Sequence, residues 1–434
     1  MKKLIELVKQ RWKNILLLIT LGHFVFFIFQ NREIVDLNVW ERNTCYFKTH
    51  RELLDMDCRY YHVKRFVFAQ PNLAYGETLK CRQASADQVK KFDQEVLAAE
   101  CPAQDIWGSP KKIWDLGWDA YSIWYGRAVA LYFQSQDTSW PGLLRAINDS
   151  AFVRSFANIE HHHYPWLLSV FYFSLMKLVA SPNPLPLIIL QVIVWVLCAY
   201  LLFLIWPTCP LFAWILFAFV PTSGTFMFRL YADIWVVLFG LFMLLFLQTR
   251  RNFLAGMAFF LGCFLKQEAF FQLGALAVTF HIINFNNLKS IFMSKQRSFW
   301  ILAILAISIV IFNSHKFESK EFYFPLLSRL FELSFYTKLL PQILGYYADV
   351  FFRPALWGLG PIWLIYVFAR SIRIISWKVY LPLLMVLVMI PLAYARYRFG
   401  YKEVILTGAG RALWQTLPLL WLLLKNVHEK TSQT

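Results

Sequence analysis

Apolar runs recur along this chain, several of roughly 17–21 residues, about the length that crosses a bilayer, separated by short polar islands. Outside an initial run at 15–29, they lie at 165–180, 186–206, 209–228, 231–248, 253–265, 269–285, 299–313, 354–369, 379–394 and 404–424. Hydrocarbon leaves backbone polar groups no solvent partner, so runs of this kind are expected to be helical. The predicted fold is an all-α polytopic bundle of about 10–12 crossings, with a polar segment after the first helix.

Composition agrees with this reading. Hydrophobic residues make up 58% of the 434 and aromatic residues 18%, against 16% charged. The net charge of +17 would suggest nucleic acid in a soluble protein. Here the basic residues cluster in short links between apolar runs, at Arg250-Arg251, Lys289 to Arg297 and Arg370 to Lys378. That is the pattern of cytoplasm-facing links, and nucleic acid is set aside. Membrane lipids and an anionic ligand are the expected partners.

The predicted organisation has five parts: a basic N-terminus and anchor at 1–30, an exported segment at 31–163, a core bundle at 164–313, a second exported loop at 314–353, and terminal helices at 354–434. Gln30-Asn31-Arg32-Glu33 lacks a small-residue cleavage site, which favours an uncleaved anchor. Alternation then puts Tyr231-Ala232-Asp233, Lys266–Glu268 and Arg396–Lys402 on the same outer side as the exported segment. Three runs lie between His163 and Tyr231, although both belong outside. One run is therefore re-entrant or half-length, which Pro207, Pro210 and Pro221 accommodate.

Of seven cysteines, Cys45, Cys58, Cys81 and Cys101 fall in the exported segment. An even number of thiols there favours two disulfides with three possible pairings; free thiols or a metal site are the other readings. Cys198, Cys209 and Cys263 lie in apolar runs and read as packing residues.

Five polar islands could carry chemistry. Lys111–Phe133 reads KKIWDLGWDAYSIWYGRAVALYF. From Asp119 onward, Ile123, Trp124, Ala128, Leu131 and Tyr132 recur at helical spacing, with Arg127 on the polar face. Asp119 heads that helix as a cap or as a ligand-facing carboxylate. Glu160-His161-His162-His163 offers imidazole and carboxylate for a divalent metal, hydrogen bonds for a phosphate, or only a solvated surface. Asp233 has Arg229 at i−4 as a local salt-bridge partner. Lys266 and Glu268 interrupt an apolar stretch and need a partner or water. Near the C-terminus, Arg396, Arg398, Lys402 and Arg411 form a basic cluster suited to phosphate or to lipid headgroups.

The order of these islands resembles the GT-C superfamily of integral membrane glycosyltransferases, including protein O-mannosyltransferases and the lipid A aminoarabinose transferase. The resembling segments are Trp118-Asp119-Ala120-Tyr121 to Arg127, His162-His163-Tyr164-Pro165, Arg229 to Asp233, Gly256–Glu268, and Arg411 with Leu413 and Pro418. The resemblance implies transfer of a sugar from a polyprenyl-phosphate donor to an extracytoplasmic hydroxyl, with inversion, on a lipid, glycan or protein acceptor. It implies Asp119 as catalytic base, and His162, His163, Arg229, Lys266 and Arg411 at the donor phosphate. Asp115, Tyr121, Arg127, Asp233 and Glu268 would shape the site. His162, His163 and Glu160 would be the ligands if a divalent metal is used. A bacterial inner membrane, with the site facing the periplasm, is the expected location. The family's acidic pair is reduced here to Asp119-Ala120, which weakens metal binding at that point. A non-enzymatic flippase or carrier for an anionic lipid is the alternative, though no internal repeat marks one. A histidine-based hydrolase ranks last, because no spaced H-x-x-x-H motif is present.

Maleimide labelling of denatured protein should therefore find three reactive thiols before reduction and seven after it, matching the seven cysteines. Seven in both states would remove the disulfides.

Overall fold

In a computed structural model, the chain is described mainly over 165–180, 185–207, 230–266, 269–285, 297–318, 340–353, 375–394 and 410–431, with isolated residues elsewhere. The described elements are helical, and no strand occurs among the described residues. In chain order they are α1 (Leu167–Leu178), α2 (Leu185–Ile205), α3 (Asp233–Gln248), α4 (Asn252–Cys263), α5 (Ala269–Phe285), α6 (Arg297–Glu318), α7 (Leu340–Phe352), a 3₁₀ turn (Trp377–Val379), α8 (Leu381–Tyr394) and α9 (Leu417–Thr431). The all-α expectation holds at this level. Among the described residues one stretch, Pro186–Ile205, is long and apolar enough to cross a membrane by itself.

Proline marks several helix starts. Pro186, Pro341, Pro382 and Pro418 each occupy the second residue of a helix. There the missing N–H would have had no helical acceptor, and the fixed φ suits the first turn. Helix α7 and the end of α6 both fall in the predicted exported loop at 314–353, so part of that segment is regular helix.

The chain divides into two compact units. The first comprises Met1–His162, Trp166–Leu190 and Arg229–Tyr231; the second comprises His163–Pro165, Gln191–Phe228 and Ala232–Thr434. In the first unit, α1 buries Leu168, Tyr172, Phe173 and Met176. Trp124, Ala128 and Leu131 are fully buried, as their spacing predicts. Arg127 departs from the predicted polar face: it is 1% exposed, with its guanidinium 4.7 Å from the centre of the Trp166 ring. A flat, weakly hydrated cation stacks well on an indole, which makes burial tolerable.

In the second unit, α4 packs on α3 and α6, and α5 packs on α4, α3, α8 and α9. Glycine permits the closest approaches. A Cβ on Gly256 would lie 2.9 Å from Leu302 Cδ1 and 3.1 Å from Phe299 Cα, and one on Gly262 would lie 2.5 Å from Leu273 Cδ1. At the α3–α4 turn, Arg251 N donates to Phe246 O (2.8 Å) and Arg250 N to Leu247 O (3.2 Å). This is a Schellman cap in which Arg250 takes the left-handed position, φ 58°, usually reserved for glycine.

This unit exposes many apolar side chains and buries several polar ones within a mostly apolar core. Ile301, Ile304 and Leu305 on α6, Leu384, Met385 and Val388 on α8, and Ile193 and Tyr200 on α2 are exposed. Gln191, Asp233, Lys266, Gln272, Thr279, His281, Gln415 and Asn426 are buried. Some of these polar groups bond to one another or to backbone: Trp235 Nε1 donates to Gln191 Oε1 (2.9 Å), and His281 Nδ1 to Ala277 O (2.7 Å).

The glycine contacts make a sharp comparison. Gly256→Ala should cost about 1–3 kcal/mol, because the backbone of α6 must move. Gly274→Ala meets nothing within 4 Å and should be neutral or stabilising by up to about 1 kcal/mol. Thermal unfolding of the detergent-solubilised variants checks this; equal shifts would refute the close α4–α6 contact.

Candidate functional site: a buried carboxylate between two cations

Asp233 opens α3 and is completely buried. Its Oδ2 accepts from Arg411 through Nη2 at 2.8 Å and Nε at 3.2 Å. Its Oδ1 accepts from Lys266 Nζ at 3.2 Å and from Gln415 Nε2. Four hydrogen bonds thus converge on one carboxylate. Three of the donors carry or share positive charge, and the first turn of α3 adds the favourable end of its dipole.

Local structure explains how the partners reach it. Lys266 lies in the link between α4 and α5, where Leu265 N donates to Gly262 O (3.2 Å) and Ala269 N to Lys266 O (3.0 Å). The link turns tightly and presents the ammonium inward. Arg411 and Gln415 sit one helical turn apart on the helical stretch 410–415, so both point to one face. That stretch ends at Thr416, whose N–H and hydroxyl both donate to Leu413 O (3.0 and 2.6 Å). Pro418 then starts α9 against Gly240 of α3, with Cγ 3.2 Å from where a Cβ would stand. This contact sets the register of the arginine-bearing turn against the start of α3.

Among the described residues, one carboxylate faces one ammonium and one guanidinium. Side-chain exposure is zero for Asp233, 9% for Lys266 and 14% for Arg411. What little of the cluster meets its surroundings is therefore cationic. Each close pair is worth about 4 kcal/mol at an effective dielectric near 20, comparable with the several kcal/mol lost in desolvating each ion. Beyond its bond to Asp233, the Lys266 ammonium has two N–H groups for which no acceptor occurs among the described residues.

Arg229, the local partner expected for Asp233, lies outside the described residues; among the described residues the cations at Asp233 are Lys266 and Arg411, 33 and 178 positions distant. Asp233, expected only to shape the site, is its centre. Sequence reasoning missed Gln415 altogether, since a glutamine in an apolar run carries no periodic or charge signal. Its placement i+4 from Arg411 was the available clue. Arg127 lies in the first unit, buried against Trp166.

The remaining candidates, Asp115, Asp119, Tyr121, Glu160, His162, His163, Arg229 and Glu268, lie outside the described residues, as do Cys45, Cys58, Cys81 and Cys101. Among the described residues no group of three His, Cys, Asp or Glu side chains could hold a metal. Cys198 and Cys263 are buried free thiols, in keeping with packing roles.

Removing the carboxylate tests the cluster. Asp233→Leu should cost about 3–5 kcal/mol, because two buried cations lose the carboxylate they share. Adding Lys266→Met to it should recover more than about 1 kcal/mol, a non-additivity diagnostic of direct coupling. Strictly additive unfolding energies would contradict the ion cluster. The chain matches no protein-family model, no curated protein and no solved structure, so its function is read from the cluster itself.

Proposed function

We propose that this chain is a polytopic membrane glycosyltransferase of the GT-C kind, which takes a sugar from a polyprenyl-phosphate donor and binds the donor phosphate at Lys266 and Arg411. The observation that carries this reading is the convergence of Lys266 and Arg411 on one buried carboxylate, inside a helical unit that exposes many apolar side chains.

The apolar exterior and polar interior suit lipid as the surrounding solvent, since a soluble protein rarely exposes broad apolar stripes. Helix α3 has 16 residues and α4 has 12, about 24 and 18 Å at 1.5 Å per residue. Both are shorter than a hydrocarbon core of ~30 Å. A cluster between the ends of such short helices sits in a recess below the membrane surface. A lipid-linked donor is suited to that recess, because its prenyl tail stays in hydrocarbon while its head meets the cations. Following the topology of the basic links, the recess opens on the extracytoplasmic side, in a bacterial inner membrane.

Phosphate in a sugar phosphodiester carries one negative charge, which the two cations suit. As the glycosidic bond breaks, charge accumulates on the departing phosphate. Lys266 and Arg411 then bind more strongly than in the ground state, and this difference is what accelerates the reaction. Asp233 fixes both cations before the substrate arrives, so little reorganisation is left for the chemical step. In this reading Asp119 accepts the proton of the acceptor hydroxyl, and attack opposite the phosphate inverts the anomeric centre. The acceptor is a cell-envelope lipid, glycan or protein hydroxyl.

Lys266→Met leaves Asp233 neutralised by Arg411 and bonded to Gln415, so the fold should survive. Losing a charge-assisted hydrogen bond worth about 1.5–3 kcal/mol should weaken farnesyl phosphate binding about 10–100-fold in nanodiscs, while farnesol binds neither form. Equal farnesyl phosphate affinity in both proteins would remove the cluster from donor binding. Donor binding without transfer to any acceptor would favour a carrier.

A further inference from the structure

The helical stretch that carries Arg411 also carries Trp414, a member of a group of buried aromatic rings centred on Phe217. Phe217 is completely buried. Its ring stacks with Trp195 of α2 at a centroid distance of 5.1 Å and with Trp414 at 6.1 Å. It also meets Trp421 of α9 edge-on at 5.6 Å. One ring therefore touches both sides of the break between the stretch 410–415 and α9. The backbone alone holds that break weakly. Pro418 has no N–H to offer the carbonyl of Trp414 four residues back, and Thr416 N instead closes a tighter turn onto Leu413 O (3.0 Å). Side-chain packing then sets the angle at which the arginine-bearing turn is held.

Helix α2 reaches the other half of the cluster as well. Gln191, Trp195 and Cys198 fall at i, i+4 and i+7 along one face of it. Gln191 Oε1 accepts from Trp235 Nε1 (2.9 Å) in the first turn of α3, and Cys198 Sγ lies 3.9 Å from Ile234 O. Ile234 and Trp235 directly follow Asp233. One face of α2 thus meets the carboxylate-bearing turn directly and the guanidinium-bearing turn through Phe217. From this arrangement we infer that Phe217 is a positioning residue, whose stacked ring sets the Arg411 guanidinium against Asp233 and so toward the donor phosphate. The inference rests on the phosphate reading above and adds to it a residue that acts through Arg411. Aromatic pairs have preferred mutual geometries and contribute beyond their buried area. Two such contacts on one ring give the turn a definite angle, which an aliphatic side chain of similar bulk does not.

Phe217→Leu keeps the position apolar and removes both stacks. In nanodiscs the full chain carrying it should bind farnesyl phosphate about tenfold more weakly, within the range of coupling between residues that share a contact network. The loss should depend on the planar fork of the guanidinium. An ammonium on a flexible stem tolerates a tilted turn better, so in an Arg411→Lys background the same substitution should cost no more than about twofold. Trp195→Leu removes the stack on the α2 side; it should show the same dependence and serves if the Phe217 variant does not fold. Equal losses in both backgrounds would assign the ring to general stability, and unchanged affinity in the arginine background would detach it from the site. Either result overturns the positioning role while leaving the phosphate site standing. If the wild-type chain binds no farnesyl phosphate, the donor-phosphate reading fails and the positioning role fails with it.

Discussion

Asp233 anchors the second unit. Its carboxylate joins the start of α3, the α4–α5 link and the turn before α9, three stretches far apart in sequence. In an apolar surround, none of the four groups can be buried alone. The ammonium and guanidinium need the carboxylate, and the carboxylate needs them. Close helix packing at Gly240, Gly256 and Gly262 lets the three stretches approach near enough for the bonds to form. Small-residue contacts and a satisfied polar cluster are the two means by which helices associate when hydrophobic burial gives no net advantage.

The proposed function rests on two cations meeting one carboxylate among the described residues. In that reading the acid holds the bases in place before an anion arrives, which is the property that electrostatic stabilisation of a leaving phosphate requires.

Much of the fold was legible from the sequence. The apolar runs at 231–248, 253–265 and 269–285 correspond closely to α3, α4 and α5, because helix-length hydrophobic patterns and their polar punctuation are local signals. Lys266 was recognisable for the same reason: a charge between apolar stretches must find a partner. The identity of that partner, Asp233 at 33 positions' distance, was not legible. For Asp233 in turn, a near neighbour such as Arg229 looks as suitable as Arg411, 178 positions on, since periodicity carries no information about tertiary proximity. Arg127 misled in a related way. Its spacing indicated a polar face, but a guanidinium can be buried on an aromatic ring, and Trp166 is distant enough in sequence to give no warning. Gln415 was invisible because a neutral amide does not disturb an apolar run.

The central claim is that Lys266 and Arg411, held by Asp233, receive a phosphate from lipid. An experimental map of the full chain in a nanodisc, with a polyprenyl phosphate bound, tests it most directly. The account predicts phosphate oxygens within hydrogen-bonding distance of Lys266 Nζ and the Arg411 guanidinium, with Asp233 still bonded to both. A phosphate seated elsewhere, with this cluster unchanged and out of its reach, would contradict it.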